Sequence, residues 1–252
     1  MDELSFIFLE DARKVLTRIY ELLGSAVLII IPLREKGPKT KAWQQLTFEQ
    51  TQVPEYQDQL LATIQRGGNI GVLVGPASGV AAIDIDLDSE VETFLELNPA
   101  FADSFRTRGA VGCQFWCRPV GDYPATLVHS KKKIPGRNKR VAEARFGGGH
   151  QSVIWGLHPC GDRYQWLSEA KPIEIRFENI RWPNDWGMEF DRGATPGEQG
   201  RPLPDPIVLG EIEAKQLAWI ERRIQNFAPA ISGEGGHDTT FAFAIHLAPR
   251  VS

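Results

Sequence analysis

A chain of 252 residues with 42% hydrophobic side chains has enough apolar surface for one large or two modest packed domains, which excludes a disordered or fibrous protein. Its longest apolar run, Ala26–Ile31, is stopped by Pro32 and falls well short of the roughly 18 to 20 residues that cross a bilayer, so no membrane association is expected. The formal charge of −4 lacks the basic footprint usual in nucleic-acid binders, and any such binding has to come from local charge.

The first residues are acidic, with no Lys or Arg before Arg13, unlike the positive start of a secretory signal. Three cysteines, an odd number without framework spacing, suit reduced thiols, and the expected setting is cytoplasmic. Residues Phe8–Leu23 place Leu9, Ala12, Leu16, Ile19, Tyr20 and Leu23 at helical spacing before Gly24, which predicts an N-terminal helix. The run Ala26–Ile31 predicts a strand, and Pro32 hands it to a polar loop, Arg34–Lys41, that carries Lys36, Lys39 and Lys41. A second helix is expected over Pro54–Ile64. Asn69–Val74, Val80–Leu87, Gly112–Cys117, Arg140–Phe146 and Ser152–Trp155 then read as short strands between glycine-rich turns. Helices mixed with sheet in this way point to an α/β or α+β domain.

Gly193–Pro206 crowds Pro and Gly into a stretch with almost no apolar side chains and reads as a linker. Helices are expected beyond it, over Glu211–Phe227 and from about Gly236 to Leu247. The organisation expected is a domain over 1–190, a linker over 191–210 and a short helical segment over 211–252. That segment is too short for a domain, so it reads as a docking element or the start of a longer parent chain.

The most informative segment is Ala82-Ile83-Asp84-Ile85-Asp86-Leu87-Asp88, in which apolar and acidic residues alternate. In a strand, residues two apart share a face, so Ile83, Ile85 and Leu87 enter the core while three carboxylates line the other side. Such an array repels itself unless a cation sits among the charges, and oxygen ligands suit Mg²⁺ or Mn²⁺. The plainer alternative is a half-exposed edge strand with a solvated acidic face, although no Lys or Arg balances these acids along the strand.

Positive charge gathers in His129–Arg140, which holds Lys131, Lys132, Lys133, Arg137, Lys139 and Arg140 without an acid. Such a loop suits nucleic-acid phosphates, or is simply solvated surface. Cys113 and Cys117, with Cys160 near His158, read as core thiols rather than zinc ligands, because zinc sites favour closely spaced cysteines on tight turns. Trp116, Trp155 and Trp166 read as core side chains before base-stacking platforms.

Taken in order, Ile31-Pro32-Leu33, Lys36, Pro38 and Trp43, then Asn69-Ile70-Gly71-Val72, Gly75 and Ser78-Gly79, then Ile83-Asp84-Ile85-Asp86 resemble the start of a known domain. Glu143-Ala144-Arg145, Gly147-Gly148-Gly149, Gln151-Ser152-Val153, Gly156-Leu157-His158-Pro159-Cys160-Gly161 and Tyr164-Gln165-Trp166 continue the likeness, which spans roughly residues 27 to 167. The domain it resembles is the bifunctional primase-polymerase domain of the archaeo-eukaryotic primase superfamily. The resemblance implies a two-part α+β core: an N-terminal α/β subdomain and a mainly antiparallel catalytic subdomain like an RNA-recognition motif, with the site between them.

The resemblance also implies template-directed nucleotidyl transfer with a two-metal site of Mg²⁺ or Mn²⁺ held by Asp84, Asp86 and Glu143. The nucleotide contacts expected beside it are Lys36, Gln114, Arg145, Gly148, Gln151, Ser152 and His158, and the run of positive charge next to the third acid is expected to contact DNA through Lys131, Lys132, Lys133, Arg137, Lys139 and Arg140. Arg145 shares the strand face of Glu143, where it either grips a phosphate or orients Glu143. One departure stands out: the family's second motif usually carries a phosphate-contacting His where this chain has Gln114. Its amide donates a hydrogen bond but carries no charge, and His158 and His150 are the nearby residues that would compensate. The expected partners are a single-stranded DNA template and primer and dNTP or NTP. The segment Pro229–Asp238 resembles the connector to a helicase part in phage, plasmid and mobile-element replication proteins. Two rivals remain: a replication initiator that binds single-stranded DNA but polymerises poorly, favoured by Gln114, and a metal-dependent nuclease built on the same acids.

Overall fold

The computed structural model describes residues 9–191, which form a mixed α+β fold with mainly antiparallel sheets. Helix α1 (Leu9–Leu23) buries Ala12, Leu16, Ile19 and Leu23 along one face. It ends where Gly24 takes φ +68° and its N–H reaches Tyr20 O at 2.7 Å, a left-handed stop that a side chain would strain. After the short α2 (Phe48–Thr51), α3 (Pro54–Gln65) starts on a proline, which a first turn tolerates because its N–H has no helical partner. Leu60 and Ile64 of α3 join α1 in covering one face of a three-stranded antiparallel sheet. That sheet has β2 (Asn69–Leu73) between β1 (Leu28–Ile31) and β8 (Gln151–Trp155).

The second sheet has eight strands. Its central strand β3 (Ala81–Ile85) lies between β5 (Cys113–Pro119) and β7 (Ala142–Arg145), all antiparallel. Beyond β7 come β6 (Val128–Ser130) and β11 (Met188–Phe190), and beyond β5 come β4 (Arg106–Arg108) and β9 (Gln165–Ser168). The short β10 (Ile173–Ile175) runs parallel to the end of β5. Ile83, Ile85 and Phe115 pack on one face against Phe94 of α4 (Asp88–Leu97), Phe101 and Trp186, with the Phe94 and Phe115 rings 5.1 Å apart. The opposite face of the strand centres carries the polar residues.

The N-terminal helix, the second helix and the six expected strands lie where periodicity put them, to within a few residues at each end. The acidic strand is shorter than expected. It stops at Ile85, and Asp88 opens α4 instead of extending the array. The Asp88 carboxylate accepts the Gly112 N–H at 2.8 Å and pairs with Arg108 at 3.0 Å, so it holds a turn rather than joining the other acids. The expected linker, apart from Asp191, and the expected helices over Glu211–Phe227 and 236–247 lie outside the described residues.

Candidate active site

Strand register brings the site together. Asp84 is paired directly with Glu143 on one side and with Gln114 on the other, and the same line continues to His129 beyond Glu143 and to Thr107 beyond Gln114. Directly paired residues share a sheet face, so five strands present one polar row. Its members Thr107, Gln114, Asp84 and Glu143 floor a cleft of about 670 Å³, and His129 lies outside the lining. The opposite wall comes from β8 and from the loops that follow β1 and β8, which carry Lys36, Gln151, Ser152, His158 and Tyr164.

Asp84 and Glu143 converge on a single guanidinium. Arg145 Nη2 donates to Glu143 Oε2 at 2.7 Å and to Asp84 Oδ2 at 3.2 Å, while Nη1 donates to Ser152 Oγ at 3.1 Å and so ties the two sheets together. Burial works against the Arg145 charge, but the two carboxylates outweigh it and raise its pKa above the ordinary guanidinium value. Asp86 lies one residue past β3, its backbone N–H held by Val141 O at 2.8 Å. Its side chain is only 11% exposed and takes Lys139 Nζ at 2.6 Å. Burial, and then the nearby Asp84 charge, raise the Asp86 pKa, with Lys139 pulling the other way. The three expected ligands thus share one cleft but engage two different cations. Among the described residues no three His, Cys, Asp or Glu side chains close on one point in a way that could hold a metal ion.

A turn brings the far side close. Gly112 takes φ +71°, and a Cβ there would stand 1.8 Å from Ile85 O, so the loop before β5 crosses the end of β3 only because that position is glycine. On the opposite wall, Gln151 Nε2 donates to Lys36 O, and the buried Asn69 donates to Glu35 O and Leu157 O at 2.8 Å each while accepting from Leu157 N at 2.7 Å. These two amides fix the loop bearing Lys36 and the turn bearing His158. Nothing about an isolated Asn at a strand start marks it for this; only the register of β2 beside β8 does.

His158 lines the cleft with Nδ1 2.9 Å from Cys160 Sγ, and its pKa is lowered by burial and then by Lys36 and Lys139. His150 is lowered too, by burial and then by Arg145, and lies outside the cleft lining. Both imidazoles are therefore biased towards their neutral forms. Gly148 sits in the turn from β7 to β8, also outside the lining, with open space around it. Cys113 and Cys117 are buried on β5, where burial pushes the Cys113 thiol up to about 12 and Cys117 higher still, which suits core thiols rather than metal ligands. Trp116 is fully buried, and Trp155 and Trp166 pack on the same core.

The basic segment divides. Arg137 and Lys139 line the cleft. Lys131 pairs with Glu189 at 2.9 Å, Lys132 with Glu90 and with Asp185 at 2.5 Å, Lys133 bonds Asn138 Oδ1 at 2.7 Å, and Arg140 packs on His129 and donates to Ser130 O at 3.0 Å. These four stand outside the lining. The cleft itself therefore carries four cationic groups, Lys36, Arg137, Lys139 and Arg145, against Asp84, Asp86 and Glu143.

Compared with known families, the chain matches the model described as bifunctional DNA primase/polymerase, N-terminal, over residues 20–179, well over half its length. No curated protein matches it.

Proposed function

The chain belongs to the bifunctional DNA primase/polymerase family, and from that premise we propose that it is a template-directed nucleotidyltransferase that makes or extends primers with divalent metal ions. The observation that carries this reading is the direct pairing of Asp84 with Glu143 on adjacent central strands, their carboxylates drawn to one cationic centre on the cleft floor. A position that gathers a guanidinium between two carboxylates has the charge and the oxygen donors that Mg²⁺ or Mn²⁺ requires. Asp86 completes the set when its carboxylate leaves Lys139; burial and then Asp84 disfavour its charge where it stands, and a divalent cation there would favour it.

Asp84, Asp86 and Glu143 would hold the metal ions, which would offset charge on the attacking and leaving oxygens of the α-phosphate. The residues around them have separate work. Arg145, released from Asp84 and Glu143, presents a fork that matches a phosphate, and Ser152 keeps it aimed into the cleft. Lys36 and Arg137 enter no ion pair among the described residues and are available to the triphosphate and to the template or primer. Lys139, freed from Asp86, joins them.

No helix among the described residues is long and apolar enough to cross a membrane. We place the activity in the cytoplasm, on single-stranded DNA with dNTP or NTP, and expect the region beyond residue 191 to lead to a helicase part of a longer parent chain. The uncharged Gln114 favours, as a second reading, an initiator that binds single-stranded DNA and polymerises weakly. Primer synthesis and extension on a single-stranded template, with each nucleotide type and with Mg²⁺ or Mn²⁺, tests both. Metal-dependent incorporation lost in Asp84→Ala and Asp86→Ala supports the polymerase. Metal-independent gel shifts without extension select the initiator, and normal incorporation by those variants refutes the site.

A further inference from the structure

Gln114 stands beside Asp84 on the cleft floor and is 9% exposed. The two ends of its amide have opposite uses there, since an oxygen turned to the cleft repels a phosphate and a nitrogen binds one. The neighbours decide between them. Trp116 lies two residues further along the same strand, on the same face, and its indole N–H can only donate; it does so to Thr107 Oγ1 at 3.0 Å. Thr107 is 1% exposed, so its own proton has no water to meet, and it donates to Gln114 Oε1 at 3.2 Å. Turning the amide over would set Nε2 against a hydroxyl already receiving the indole proton and would leave the threonine proton buried without an acceptor. Gln114 Nε2 has no protein partner among the described residues.

We infer that Trp116, Thr107 and Gln114 form a polarity relay that holds the Gln114 amide with its NH₂ towards the cleft, where it donates to a phosphate oxygen of the incoming nucleotide. Gln114 is the contacting group, and Thr107 and Trp116 are positioning residues that act through it. Lys36, Arg137, Lys139 and Arg145 already supply positive charge in the cleft, so a neutral donor adds direction rather than attraction. The inference rests on the nucleotidyltransferase reading and adds to it two residues that touch no substrate. The role of neither is legible in the sequence, because the relay exists only through the pairing of Thr107 with Gln114 across β4 and β5.

The test uses the 252-residue chain, with dATP binding by equilibrium titration and primer extension in Mg²⁺ as separate readouts. Thr107→Val keeps the shape and removes the hydroxyl. The dissociation constant and KM for dATP are expected to rise about tenfold, with kcat at saturating dATP and affinity for primer-template within about twofold of wild type. Thr107→Ser, which keeps the hydroxyl, restores both constants. Trp116→Phe removes the indole N–H and shifts them in the same direction by a smaller factor, which keeps the test available if Thr107→Val fails to fold. Unchanged dATP affinity in folded Thr107→Val or Trp116→Phe, or a Thr107→Ser variant as weak as Thr107→Val, overturns the relay and leaves the polymerase reading standing. A wild-type chain that neither binds dATP nor extends a primer overturns both.

Discussion

The two sheets that wall the cleft use the same antiparallel pairing for different ends. Every residue of β2 is buried, with Ile70 and Val72 against α1 and α3 and Leu73 on the other side with Ile29 and Val153. The larger sheet packs one face on Phe94, Phe101 and Trp186 and gives the other, at its strand centres, to a polar row with two acids side by side. A sheet covered on both faces stabilises the fold, whereas like charges on adjacent strands oppose it and are held here by the Arg145 guanidinium that bonds both. The smaller sheet also serves the cleft, but at one remove, since Asn69 and Gln151 fix backbone that carries the cleft-lining Lys36 and His158.

If that division is right, variants in the two sheets should fail in different assays. The largest effect belongs to the polar row. Asp84→Ala should reduce nucleotide incorporation about a thousandfold or more while shifting the thermal midpoint little, because on the proposed reading about 4 kcal/mol of transition-state stabilisation would pass through that carboxylate. Ile70→Ala in β2 should do the reverse, losing about 2–5 kcal/mol in urea unfolding while the folded fraction keeps its KM for nucleotide. A stable Ile70→Ala protein with a raised KM would break the comparison.

A smaller pair of variants sharpens it within the basic segment. Arg137→Ala removes a cleft cation without an ion-pair partner among the described residues, and should weaken primer-template binding about threefold to tenfold and lower its salt slope by about one. Lys131→Ala removes a cation already paired with Glu189 outside the cleft and should leave both quantities unchanged in the same filter-binding titration.

That contrast also marks how far the sequence could be read. The alternation around Asp84 identified a strand, its buried face and the acids, because a period of two is a local property, whereas its central place between β5 and β7 is shown only by the sheet pairing. Glu143 and Arg145 were legible as neighbours on one strand, and their approach to Asp84 followed only from the family resemblance. The segment from Lys131 to Arg140 looked uniform as a string of charges, yet the fold turns Arg137 and Lys139 to the cleft and Lys131, Lys132, Lys133 and Arg140 elsewhere. No period in the sequence records this, since the partners Glu90, Asp185 and Glu189 come from distant elements. Asp88 misled for a related reason. It continued the alternation, but a helix begins there and its carboxylate is taken by Gly112 and Arg108.

The smallest effect expected is the most diagnostic of the large sheet's open face. The Asp86 carboxyl has its pKa raised by burial and then by Asp84, so the folded protein holds that proton more tightly than the unfolded chain does. Its ionised form therefore opposes folding once the pH exceeds that raised value, and stability is lost as pH climbs from the ordinary carboxylate range through it. Asp86→Asn removes the opposing charge, and Lys139, 47% exposed, loses only a partly screened partner. In metal-free buffer at pH 7 the variant should melt a few degrees above wild type, with the gap closing as the pH falls below the ordinary carboxylate range, where both folded and unfolded carboxyls carry protons. Mg²⁺ should then raise the wild type more than the variant and narrow the gap, because a cation among the acids relieves the same charge that the amide removes. A variant that melts below wild type at pH 7 would mean that the Lys139 ion pair outweighs burial, and that Asp86 helps to hold the sheet rather than awaiting a cation.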